Sequence, residues 1–122
     1  MINKLILLIL LMALFFMYSC SESGTDFSEP EQVVAVVNAP SSATVDIEVT
    51  LDGSSSTGPI VAYGWLMVSQ PQNSAARINN SQSVEANFTP DIEGDYVIRL
   101  NAISDESLAD SDEVTITASN GN

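Results

Sequence analysis

A single thiol, Cys20, follows directly on a run of apolar side chains. Far along the chain, four carboxylates, Asp105, Glu106, Asp110 and Asp112, crowd into eight consecutive residues. These are the groups whose type and spacing could do chemistry. A thiol can serve as nucleophile, metal ligand or acylation site. Clustered carboxylate oxygens suit Ca²⁺, which takes about 6–8 of them and binds some extracellular modules with Kd near 10⁻⁴–10⁻³ M. Catalysis finds few parts. The chain has no histidine, so a serine nucleophile lacks its usual base. Acid–base work by carboxylates needs one perturbed by burial in a cleft, and no stretch predicts a cleft. The sequence therefore reads as a non-enzyme with no cofactor beyond the candidate Ca²⁺.

The position of Cys20 is set by what precedes it. Lys4 gives the start a positive charge, and Leu5 to Met17 are thirteen residues without a polar side chain. A stable bilayer span needs about 20 such residues. A charged start, a short apolar run and a small residue, here Ser19, are the parts of a secretory signal peptide. Met17-Tyr18-Ser19-Cys20 resembles the lipobox of bacterial lipoproteins, where a small residue precedes cysteine. That resemblance implies cleavage before Cys20 and a diacylglycerol thioether on its sulfur. Each buried CH₂ contributes about 0.8 kcal/mol, so two acyl chains hold firmly where one does not. Ser21, not Asp, follows the cysteine. In two-membrane envelopes this implies the outer membrane. The expected location is the bacterial cell envelope, with the membrane as partner through the lipid on Cys20.

Cleavage after residue 19 would leave 103 residues, with Arg77 and Arg99 against sixteen carboxylates, a net charge of −14. A field of that sign repels nucleic acid, which is excluded as a partner. With one cysteine no internal disulfide can form, so the fold must stand on its core. The length allows one domain. Residues 20–31 are expected to be the lipidated cysteine and a flexible tether, because SESGTDFSEPE buries too little to order itself. As a coil, the 11 residues after Cys20 hold their ends about 18 Å apart on average and about 36 Å at full reach.

The rest of the chain alternates with period two. Val45, Ile47, Val49 and Leu51 share one face of VDIEVTL, and Tyr96, Ile98, Leu100 and Ala102 share one face of YVIRLNAI. Val114, Ile116 and Ala118 do the same near the end, as do Val84, Ala86 and Phe88. Each pattern predicts a half-buried strand. QVVAVVN, 32–38, reads as a first strand, and Ala76 to Ile78 as a short edge strand. IVAYGWLMV, 60–68, is apolar on both faces and predicts a central strand. Turn-rich clusters such as DGSSSTGP and SDESLADS separate the strands. About seven strands at this spacing predict an all-β, immunoglobulin-like antiparallel sandwich over residues 32–118, with 119–122 as a tail. Trp65 stands where such folds bury a tryptophan, and Gly94-Asp95-Tyr96 opens the sixth strand as a tyrosine corner does. Both aromatics are expected in the core.

Leu51-Asp52-Gly53-Ser54-Ser55-Ser56, then Ile60, Tyr63 and Trp65, then Phe88-Thr89-Pro90-Asp91 with Gly94 and Tyr96, resemble a PKD domain. Thr57-Gly58-Pro59 replaces the acidic turn common in that family. Leu66-Met67-Val68-Ser69-Gln70-Pro71 replaces its usual WDFGDG continuation and resembles a PKD-like variant of bacterial surface proteins and some animal receptors. In this topology the Asp105–Asp112 loop is expected at the same end as Asp52, so the candidate Ca²⁺ ligands are Asp52, Asp105, Glu106, Asp110 and Asp112. Two roles follow: a structural, adhesion or protein-contact element, or a module binding glycans or Ca²⁺. Partners would be other surface proteins or glycans. The remaining alternative is a secreted, non-lipidated eukaryotic immunoglobulin-like domain, in which the sequons at Asn79 and Asn87 would carry sugar.

Overall fold

The computed structural model describes residues 31–121. Contacts cluster within a compact unit, Glu31–Asn122, and both of its apolar clusters come from its own residues. Alternation in the sequence becomes seven strands: β1 Ser42–Thr44, β2 Val49–Asp52, β3 Ile60–Ser69, β4 Ile78–Asn79, β5 Glu85–Phe88, β6 Gly94–Ser104 and β7 Ala109–Ser119. They form two sheets, ordered β1-β7-β6-β3 and β2-β5-β4. All pairs are antiparallel except β1 with β7, where Ser42 to Thr44 run parallel beside Thr117 to Ser119. No helix occurs among the described residues. This is the all-β sandwich that the alternation predicts.

The two sheets meet through side chains that alternate inward. Tyr96, Ile98, Leu100 and Ala102 of β6 are buried, as are Ile116 and Ala118 of β7 and Ala86 and Phe88 of β5. The Phe88 and Tyr96 rings, one from each sheet, stand 5.3 Å apart and tilted at 47°. Trp65 is buried from β3, and its Nε1 donates to the Ser83 carbonyl at 2.9 Å, ahead of β5. Gly53 has no room for a side chain: a Cβ there would lie 2.8 Å from Leu100 Cδ2 and 3.3 Å from the Trp65 ring.

Three strand readings are corrected. The period-two run 45–51 is a strand only from Val49; Asp46 has φ 66° and Ile47 N–H donates back to Thr44, so the chain turns and Ile47 is exposed. Residues 32–38 form no ladder strand, only single bridges at Val34 and Asn38. IVAYGWLMV is not central. It is the edge of the four-stranded sheet, and its outward residues face solvent.

Candidate functional site

Cys20, the apolar run before it and the segment up to residue 30 lie outside the described residues. The candidate Ca²⁺ ligands do not. Asp52 ends β2, and its Oδ1 accepts the Ser54 N–H at 2.8 Å. That N–H, with help from the Ser54 side chain, holds the Asp52 carboxyl below its ordinary pKa. Asp105 and Glu106 sit exposed in the turn between β6 and β7, closed by Ser104 N–H to the Leu108 carbonyl at 2.8 Å. The sequence reading places Asp110 and Asp112 in that loop as well, and this is corrected. They are strand residues of β7. Among the described residues, no three acidic, histidine or cysteine side chains come together as a metal site would require.

Asp110 and Asp112 have other partners. Asp110 Oδ2 accepts the Ala35 N–H and Asp112 Oδ2 accepts the Val37 N–H, both at 2.9 Å. The alternate residues turn the other way. Val34 exchanges backbone bonds with Thr57 at 2.9 Å, Val36 N–H reaches Ser56 Oγ at 2.9 Å, and Asn38 pairs with Asp52. Residues 33–38 are therefore a strap, bound on one side to the 52–57 loop and on the other to two carboxylates. Val33 and Ala35 of the strap form with Ala102 of β6 a small cluster separate from the main core. The signal was present in the sequence: Asp110 and Asp112 continue the inward period of Val114, Ile116 and Ala118. An acidic composition made the segment read as loop.

At the sandwich's other side Tyr96 makes its corner. Its hydroxyl donates to the Ile92 carbonyl at 2.8 Å and accepts the Ile92 N–H at 3.1 Å. Asp91 ties this corner to the loop after β3, accepting from Ser74 Oγ and from the Ala75 N–H at 2.7 Å. The Ser74 hydroxyl, then the Ala75 N–H, hold the Asp91 carboxyl below its ordinary pKa, and the Tyr96 hydroxyl adds to this. Sequence reasoning quoted Asp91 without a role; its partners are distant in sequence.

A seven-stranded sandwich with a buried tryptophan on β3, a tyrosine corner opening β6 and the tight Gly53 turn agrees with the family comparison. The K319L-like PKD domain matches residues 39–118. The chain belongs to that PKD domain family. The PKD domain of the KIAA 1837 protein covers 81% of this chain and 95% of its own, at 24% identity and a TM-score of 0.62. The PKD1 domain of Vibrio anguillarum Epp covers 76% and 100%, at 15% identity and a TM-score of 0.55. A nucleoside hydrolase-related hypothetical protein from Saccharophagus degradans, associated with carbohydrate metabolism, matches at 25% identity and a TM-score of 0.62. This chain covers 26% of it, so there the PKD-like fold is one part of a larger chain. No curated protein matches. A PKD-like module fits a non-catalytic structural or protein-contact domain.

Proposed function

We propose that the chain is a lipid-anchored, non-catalytic PKD-like module of the bacterial cell envelope, held to the membrane through Cys20 and serving as a structural, adhesion or protein-contact element. The observation that carries this reading is how the sandwich uses its aromatics. Trp65, Phe88 and Tyr96 are buried, and Tyr63 packs against the same core. Among the described residues none of these rings forms an exposed platform on which a sugar could stack. Contact with another protein, or simple spacing, is what such a surface supports. The apolar run and lipobox-like residues before the sandwich supply the anchor. Outer-membrane placement rests on Ser21.

The test is metabolic labelling with a palmitate analogue. The wild-type chain should take the label and pellet with membranes, and Cys20→Ala should do neither. An unlabelled wild type would remove the anchor and return the secreted immunoglobulin-like alternative.

A further inference from the structure

The four-stranded sheet has two unlike edges. At one, short β1 covers only Thr117–Ser119 of β7, and the strap lies along Asp110 and Asp112 in the rest of that strand. Charges that point inward and a covering segment are how edges are kept from pairing with other chains. At the other, β3 runs ten residues, IVAYGWLMVS, with no charge and no proline. Its Trp65 N–H is taken by the Ser81 carbonyl at 2.7 Å. Its outward face is apolar along β3, where Leu66 is 50% exposed; across on β6, Ile103 beside Ala62 is 40% exposed, while Asn101 stands beside Gly64 and Arg99 beside Leu66. Val61 and Val68 are also exposed, where the pairing with β6 is irregular.

Gly64 lies on that same face. Tyr63, Trp65 and Met67 pack against the core, so Gly64 and Leu66 point away from it. Unlike Gly53, Gly64 has open space where a Cβ would stand, with nothing within 4 Å. Neither packing nor a positive φ calls for glycine there. Glycine inside a strand weakens it and often marks a place where another chain comes close.

We infer that the outer face of β3 and β6 binds a second copy of this chain, with Leu66 of each copy seated over Gly64 of the other. A two-fold interface needs a surface that complements itself. Here a projecting side chain and a gap lie two residues apart on one strand face, about 7 Å. The occupant must also tolerate a strongly acidic neighbour. Arg99 and Glu113 form an ion pair at 3.0 Å on this face, and β3 is uncharged, so these charges balance where two acidic copies meet. A two-fold contact uses the same patch on both copies, so the pair closes. The inference names the partner within the protein-contact reading above.

Sedimentation velocity on Glu31–Asn122, the unit that carries its own core, tests this over a range of concentrations. Wild type should pass from monomer to dimer. Leu66→Asp should stay monomeric at least tenfold beyond the wild-type midpoint. Gly64→Val, which fills the gap, should do the same with no fall in melting temperature, since a branched residue suits a strand. A wild type that remains monomeric, or variants that associate as it does, would overturn the inference. The anchor reading would stand in either case, because palmitate labelling tests it separately.

Discussion

Tyr96 shows how one hydroxyl organises a turn. Its ring is fully buried, and its oxygen both donates to and accepts from Ile92. Tyr96→Phe keeps the ring and leaves those backbone groups without that partner. An unsatisfied buried group costs about 1–3 kcal/mol, so urea unfolding should show a loss of that order. Asp91 extends the corner to Ser74 and Ala75. Its carboxyl titrates below the ordinary range in the folded state, as does that of Asp52. A depressed carboxyl adds stability above its unfolded pKa and gives it up as pH falls through its folded pKa. The melting midpoint should therefore drop as pH falls from about 5 to about 2. Asp91→Asn should flatten that slope. An unchanged slope in Asp91→Asn would mean that its bonds to Ser74 and Ala75 do not favour the ionised form.

At the scale of elements, the strap Val33–Asn38 is the feature that binds the fold's beginning to its last strand. Three of its N–H groups depend on side-chain acceptors, not on a ladder, and two of those acceptors are carboxylates. Replacing Asp110 and Asp112 together by alanine should speed amide exchange at Ala35 and Val37 by at least about tenfold, the factor for roughly 1.4 kcal/mol. Exchange in β6, which lies between two neighbours, should hardly change. Equal acceleration in both would make the strap part of one global unit. The same elements show what the residues reveal in advance. β6 and β7 from Glu113 onward were legible because both alternate with one face buried, whereas the acidic start of β7 read as loop. The tyrosine corner and Trp65 were legible from residue type at a place in the strand order. The strap was not, because its bonding partners lie 75 residues away and are carboxylates, which read as solvated. β3 was misplaced because an apolar sequence on both faces usually marks a central strand, and here its outer face is left uncovered. The 45–51 run failed on backbone geometry: Asp46 takes a positive φ, which alternation does not encode. Gly53 and its neighbours were quoted as a motif, but the close approach of Leu100 that requires glycine is visible only in the packing. Gly53→Ala should lower the melting temperature more than Gly64→Ala, which meets open space.

The whole molecule depends on few large side chains. Trp65 reaches from one sheet to the segment leading into the other, so Trp65→Ala should cost about 3–5 kcal/mol. A unit of this size has about 5–14 kcal/mol in all, so calorimetry should show a steep fall in melting temperature. Charge sets the other global property. In residues 31–121, Arg77 and Arg99 stand against thirteen carboxylates. Mutual repulsion of that kind weakens the compact state and is relieved by salt. A specific Ca²⁺ site would add to such screening. With Kd near 10⁻³ M and about 10 mM Ca²⁺, binding to the folded state alone would add roughly 1.4 kcal/mol, several degrees in melting midpoint. The geometry argues for screening. Asp110 and Asp112 already accept backbone N–H groups, Asp52 accepts Ser54, and no three ligating side chains converge among the described residues. Ca²⁺ should therefore raise the midpoint no more than Mg²⁺ does at equal ionic strength, with Na⁺ close behind both. A shift of several degrees seen with Ca²⁺ alone, and abolished in Asp105→Asn with Glu106→Gln, would instead mean that the β6–β7 turn closes around the ion.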